Sequence, residues 1–428
     1  MNILICGDVD IPPPYGGLAR RILTNTSNWE IENNISVLVY HRKANIDRLG
    51  LKKSRIYNVY DSTDKDSSFI NNAKVVLAVI YSSFVFSITH PIISIKIFLK
   101  EMGLFARGSF SLIKLLTSLH YARVAYNILV TDRINAIEAH YGFESTLIVE
   151  YVAESLQIPV VISSYAEAIF WRDAKGNNIS YRYDSLFDNT FKRAIKIITP
   201  SKHCSKGPLR FVKEEKIDII YSSIDTSQFN GLINMKNKLK QEMGYTSDRI
   251  VLFVGQLDNR KGAHYLARCA STIVGKVPEA RIVFIGNDMG AKNDLEEIIK
   301  DIKNRVTFKG GVPDDELRKF YVIADVLVFP SLSDQECMGL SMKEAMAAGT
   351  PVVAFNVGGV AEAVEDGATG YLVEPKNEGM LTEKIIKVLT NNEKDIMQDN
   401  CIRKSRELFD VKEAAKKEID ILRNSAGA

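Results

Sequence analysis

Two carboxylates eight positions apart, Glu336 and Glu344, flank a helix start in residues 329–354, FPSLSDQECMGLSMKEAMAAGTPVVA. The backbone amides of Gly339, Leu340 and Ser341 open that helix. Such a terminus has unpaired N–H donors and the positive end of the dipole, so it suits an anion such as a phosphate. A plain strand–helix–strand unit with a surface acid at each place accounts for the same letters. A second candidate lies in the loop GQLDNRKG at 255–262, where Arg260 and Lys261 could neutralise a pyrophosphate. A solvated basic loop is the competing reading. His140 follows directly on a short apolar run, AIEA at 136–139. If that run is a parallel strand, His140 stands at the edge where ligands collect, although a lone histidine is more often structural. Gly16 and Gly17, after PPPY, would let backbone approach a ligand or make a tight turn. Asp8 and Asp10 spell D-x-D, a spacing too common to define a metal site. The remaining histidines form no ligand cluster, so no metal site is expected.

These residues need elements to position them. Apolar runs at 2–6, 35–40, 56–60, 136–139, 159–163, 195–199 and 217–221 read as strands separated by helix-length stretches, including 143–156 and 185–193. After a break at 222–240 a second series begins, with strands at 250–254, 281–285, 306–308, 326–329, 352–355 and 370–373. Helices fall between these at 263–276, 293–303, 315–323, 339–348 and 359–364, and two more follow at 383–407 and 411–423. This alternation predicts two doubly wound α/β units, with the candidate loops at the C-terminal ends of parallel strands. Neither G-x-G-x-x-G nor a Walker loop is present.

A chain of 428 residues exceeds one core. Five widely separated cysteines, with no C-x-x-C pair, argue against a disulfide framework and for a reducing compartment. The opening MNILICGD reads as a buried strand and not as a signal peptide. Residues 1–224 hold 27 Lys+Arg against 21 Asp+Glu, and the remainder 28 against 31. The first half is therefore the more basic, which suggests an anionic surface partner. Residues 75–95 carry no Asp, Glu, Lys or Arg, a span-like length. A single crossing would nevertheless separate strands that must join one sheet. With the mixed apolar and basic stretch 96–133, the insert reads as an amphipathic surface for anionic lipid, or as ordinary helices covering the sheet.

Taken together, FVGQLDNRKG and the run VTFKGGVPDDELRKFYVIADVLVFPSLSDQECMGLSMKEAMAAGTPVVAFNVGGVAEAVEDGATGYLVEP resemble family-four retaining glycosyltransferases of the GT-B fold. The apolar insert with His90-Pro91 is also similar to members that build bacterial exopolysaccharide or lipopolysaccharide. The resemblance implies two Rossmann-like domains facing each other across a cleft. The first would be an acceptor domain at 1–224 with an insert at about 69–133, and the second a nucleotide-sugar donor domain at 225–410. A terminal helix at 411–428 would pack back on the first. Carried over by residue, Glu344 would hold the donor ribose and Glu336 would contact the transferred sugar. The amides of Gly339, Leu340 and Ser341 would bind the diphosphate, and Lys261 would stabilise the leaving phosphate. Gly16 and Gly17 would line the phosphate and acceptor side, and His140 would lie near the reacting sugar.

The implied reaction moves a sugar from a nucleoside-diphosphate sugar to a hydroxyl of a lipid-linked or polysaccharide acceptor, with retention. No cofactor or metal would be required, and the work would be done at the cytoplasmic face of a membrane. The chain departs from the family pattern at Gln256, where an Arg is usual and where Arg260 could compensate. It departs also at Met338, at Ser164-Tyr165 and at 222–225, SSID. An epimerase or pyridoxal-dependent phosphorylase on the same fold, or an inactive sugar-nucleotide-binding subunit, are the alternatives.

Overall fold

The computed structural model describes residues 1–7, 26–29, 32–39, 53–58, 69–105, 112–166, 178, 180–391 and 394–427. Gly16, Gly17, Asp8 and Asp10 lie outside the described residues. The chain divides into two compact units. One comprises Met1–Pro200, Cys204–Ile220 and Ala414–Ala428, the other Ser201–His203 and Tyr221–Glu413.

The first unit holds β1 (Asn2–Gly7), β2 (Asn34–Val39), β3 (Arg55–Asn58), β4 (Ala136–His140), β5 (Val160–Ser163), β6 (Lys196–Thr199) and β7 (Ile217–Ile219). They form one sheet in the order β3-β2-β1-β4-β5-β6-β7, with every pair parallel. The second unit holds β8 (Arg249–Val254), β9 (Ala280–Ile285), β10 (Val306–Phe308), β11 (Val326–Phe329), β12 (Val352–Phe355) and β13 (Gly370–Val373). Their order is β10-β9-β8-β11-β12-β13, again all parallel. Each order reverses direction once, between β1 and β4 in the first unit and between β8 and β11 in the second. Loops that leave such a switch point diverge to opposite faces and open a crevice at the strand C-termini.

Burial explains why these runs become central strands. On β8, Ile250 and Leu252 enter one apolar layer while Val251 and Phe253 enter the other. On β1, Leu4 and Cys6 face one layer while Ile3 and Ile5 face the opposite one. Strands buried on both faces must be apolar throughout, as parallel sheets covered by helices require.

The helices used below are α1 (Phe69–Thr89), α2 (Pro91–Phe105), α3 (Leu112–Thr131), α4 (Glu144–Ser155), α5 (Asp184–Arg193), α6 (Ala263–Lys276), α7 (Asp314–Ile323), α8 (Leu340–Ala347), α9 (Glu378–Leu389), α10 (Lys394–Phe409) and α11 (Val411–Ala426). The single helix expected at 383–407 is instead α9 and α10, with the helical run of α9 ending before Thr390. Helix α11 belongs to the first unit. Its Ala414, Ala415, Ile419 and Leu422 close the layer of Ile3, Ile5, Val37 and Ile198. The Trp29 indole N–H donates to the Ala415 carbonyl at 3.1 Å.

The insert is helical. Helices α1 and α2 meet at an angle of 119° around His90-Pro91, and no single helix among the described residues is long and apolar enough to cross a membrane. Inner side chains such as Phe86, Ile93, Ile97, Leu119 and Ala122 are buried in the first unit's core. The outer face is apolar as well: Leu77, Tyr81, Phe84, Ile88, Ile92 and Leu99 are each more than 60% exposed. The lysines beside it turn back to the protein. Lys96 pairs with Glu154 at 2.9 Å, Lys100 with the buried Glu101 at 2.9 Å, and Lys114 with Glu144 at 2.7 Å.

Candidate active site

In the second unit the loops after β8 and β11 bring Lys261 and Glu336 together. The loop after β8 is tied by the Lys261 backbone N–H donating to Asp258 Oδ1 at 2.6 Å. It ends at Gly262, with φ +75°, just before α6. A Cβ at that position would stand 1.9 Å from the Pro330 carbonyl oxygen, so only glycine lets this turn pass the end of β11 so closely. The close passage sets Lys261 beside the β11 loop, where its ammonium donates to Glu336 Oε1. The buried Ser331 hydroxyl reaches the same oxygen at 3.3 Å. The Lys261 side chain is 27% exposed and that of Glu336 11%, so the pair lies at a half-buried surface. From below, the Gly359 N–H donates to the Glu336 carbonyl at 2.9 Å and fixes the loop.

Helix α8 begins directly after Gly339, whose φ of +62° and closeness to the Phe329 ring (2.6 Å from an added Cβ) again favour glycine. Met338, Met342, Ala345 and Met346 anchor α8 in the core. The N-terminal amides of α8 therefore follow the Glu336 loop directly, with Leu340 and Ser341 half-buried. Glu344 lies on the half-buried side of α8, where the Tyr321 hydroxyl of α7 donates to its Oε2 at 2.8 Å. Lys343, only 2% exposed, donates to the Ser222 carbonyl at 2.7 Å and so has a structural role. Arg260 approaches Gln256 Oε1 at 3.4 Å, so a guanidinium stands beside the position where the expected arginine is replaced.

In the first unit His140 ends β4, beside the switch point. It is 3% exposed. Its Nδ1 is 3.0 Å from the Tyr165 hydroxyl and its Nε2 3.8 Å from Glu138 Oε1. The sequence reading passed over Tyr165, Glu138, Tyr321, Ser331 and Asp258. Only Tyr165 carried a signal, as half of the Ser164-Tyr165 departure. Among the described residues no group of three or more His, Cys, Asp or Glu is arranged to hold a metal ion.

Two doubly wound parallel units in succession are the architecture of a GT-B fold. HepE of Anabaena superposes over 99% of this chain and 100% of that one, with a TM-score of 0.70 at 16% identity for its UDP complex and 0.68 at 17% for its UDP-glucose complex. Residues 235–408 match the family model described as Glycosyl transferases group 1, a stretch that includes all of the donor-side candidates from Gln256 to Glu344. An uncharacterized glycosyltransferase of Methanocaldococcus jannaschii is 33% identical over 187 residues, 42% of this chain and 46% of that protein. Spore coat protein SA of Bacillus subtilis is 31% identical over 192 residues, 42% of this chain and 51% of that protein. The matches thus span about half the length of these curated relatives.

Proposed function

We propose that the chain is a retaining glycosyltransferase. It would move a sugar from a nucleoside-diphosphate sugar to a hydroxyl of a lipid-linked or polysaccharide acceptor in cell-surface glycan synthesis. The observation that carries this reading is the contact of Lys261 with Glu336 at the second unit's switch point, directly before the amide-rich start of α8 and on the same loop–helix segment as Glu344. Glu344, oriented by Tyr321, is assigned to the donor ribose. The amides of Gly339, Leu340 and Ser341 and the α8 dipole take the diphosphate. As the glycosidic C–O bond breaks, negative charge grows on the leaving phosphate, and Lys261 is the cation placed to meet it. Glu336 then turns from Lys261 to the hydroxyls of the transferred sugar. On this reading the charge is handled without a metal, and Arg260 supplies the second cation that Gln256 cannot. His140 is assigned to the neighbourhood of the reacting sugar, as the resemblance implies.

The membrane enters through the insert. A continuous apolar face on α1 and α2 is costly to leave in water and suits the headgroup–acyl boundary of a bilayer. The described lysines next to it are spent on Glu101, Glu144 and Glu154, so we assign the contact to apolar insertion more than to attraction by anionic lipid.

The test is a binding panel of nucleotide sugars beginning with UDP-glucose, followed by product analysis of the best donor. Formation of a glycoside with the donor's anomeric configuration is expected. Inverted product would sink the retaining assignment. Binding without turnover of any donor would instead favour a nucleotide-binding subunit, and a visible-absorbing pyridoxal group would favour a phosphorylase.

A further inference from the structure

The first unit buries an unpaired acid toward the end of its sheet opposite to His140. Glu150, on α4, is 3% exposed, and neither of its carboxyl oxygens has a hydrogen-bond partner among the described residues. Two other buried acids of this unit are answered at least in part. Glu101 accepts from Lys100 at 2.9 Å and from Ser118 at 3.0 Å, and Glu138 accepts from Ser163 at 2.6 Å. An unpaired polar group at this depth costs stability. Burial accordingly holds the Glu150 carboxyl well above the usual range, opposed only in part by Arg193 and Lys216. Neither cation bonds to it. The Arg193 guanidinium donates to Glu154 at 2.7 Å, and the Lys216 ammonium donates to the Lys192 carbonyl at 2.7 Å. Glu154 is in turn shared with Lys96 at 2.9 Å.

Glu150 lines a cavity of about 400 Å³ at the N-terminal ends of β5 and β6, a size that admits a small ligand. The last turns of α4, α5 and α11 reach the cavity through Glu154, Arg193 and Ser425. Helix C-termini carry partial negative charge, so together with Glu150 they favour a cation. A divalent metal wants more hard ligands than one carboxylate, and no group of three or more His, Cys, Asp or Glu is arranged to hold one among the described residues. The rest of the wall is aliphatic, from Ile158, Pro159, Val160 and Ile195. It calls for an alkyl body, and the two unpartnered oxygens call for N–H donors, which a quaternary ammonium lacks. We propose that this cavity binds a primary alkyl amine, its ammonium on Glu150 and its chain against that aliphatic wall. The site is separate from His140, at the other end of β4, and independent of the glycosyl-transfer reading.

The experiment titrates n-butylammonium chloride into the full chain, 13C-labelled at the glutamate carboxyls, at pH 8 and constant chloride, where the amine is charged. The Glu150 resonance is assigned with Glu150→Gln. A saturable shift of that resonance is expected, and n-butanol or potassium chloride over the same range should produce none. In thermal melts the amine should raise the melting temperature of the wild type by mass action. Glu150→Gln keeps the shape without the charge, and should need at least about tenfold more amine for the same rise. No saturable shift in the wild type overturns the proposal, whether or not the variant folds. An equal response to potassium chloride would make this an inorganic cation site, and an equal response to n-butanol would leave only an apolar cavity; either overturns the amine assignment. So would the same dependence on amine in Glu150→Gln.

Discussion

Replacing Glu344 with Ala tests the donor assignment most directly. Its carboxylate accepts from the Tyr321 hydroxyl at 2.8 Å, and on the proposed reading it accepts from two ribose hydroxyls when the nucleotide binds. A hydrogen bond to a charged group contributes about 1.5–3 kcal/mol. Losing two would cost about 3–6 kcal/mol, or roughly a 10²- to 10⁴-fold rise in Kd for the nucleotide. The fold should survive, because α8 is anchored by Met342, Ala345 and Met346, all fully buried, and not by Glu344. Tyr321→Phe supplies the scale: it leaves the carboxylate and removes only its support, so a loss of about 1 kcal/mol, roughly fivefold, is expected. Isothermal titration with nucleoside diphosphate and nucleotide sugar, alongside thermal melts of each variant, reads both effects. If Glu344→Ala binds within about threefold of wild type, the ribose role is refuted. Equal losses in both variants would mean that α8 itself had moved.

Lys261→Ala should cut kcat by about 10²–10³, as expected on removing one preorganised group that meets developing charge, with a smaller change in KM; a kcat within threefold of wild type would remove Lys261 from the chemistry. Because Lys261, Arg260 and the α8 amides are assigned to the diphosphate, EDTA treatment should leave the transfer rate unchanged, and restoration of lost activity by a divalent ion would contradict that. Changing Leu77, Tyr81 and Phe84 together to Asp should abolish flotation with phosphatidylcholine vesicles, whereas raising the salt or adding phosphatidylglycerol should alter wild-type flotation little; strong salt dependence would restore an electrostatic mode. Burial raises the Glu150 carboxyl well above the usual range, opposed only in part by Arg193 and Lys216, and neither oxygen has a hydrogen-bond partner among the described residues. The native state therefore keeps its full stability with this group protonated, below about pH 4.3, and loses some as pH rises through the raised native value. Glu150→Gln should accordingly be more stable than wild type at pH 8, by about 1–3 kcal/mol in unfolding free energy read by denaturant titration, with the gap closing toward pH 4; a gap independent of pH would refute the assignment.

The central strands were readable because strands buried on both faces are short, continuous apolar runs, and the half-buried edge strands β3, β7 and β10 also fall where the sequence places strands. The loops of Lys261 and Glu336 were readable because glycines punctuate them, at Gly255 and Gly262 for the first and Gly339 for the second. Contacts between elements were hidden. Tyr165 and Glu138 meet His140 only because β5 pairs beside β4 in one register, which spacing along the chain does not reveal. The break between α9 and α10 was missed because 383–407 reads as continuously helical in its apolar spacing, although the helical run ends before Thr390. The insert's lysines looked like a basic surface in one dimension, and the carboxylates that neutralise them come from α2 and α4.

The seat of α11 on the first unit bears on how the protein is made. Trp29 and Ala415, which the indole hydrogen bond joins, are 386 residues apart. At about 5–20 residues per second a ribosome needs roughly 20–80 s to travel that distance. During this interval Ile3, Ile5 and Val37, and from its middle Ile198, lack the helix that closes their layer, a surface for chaperones to shield. A chain cut at 410 would make that exposure permanent, so the two units are separable on paper more readily than in an expression host.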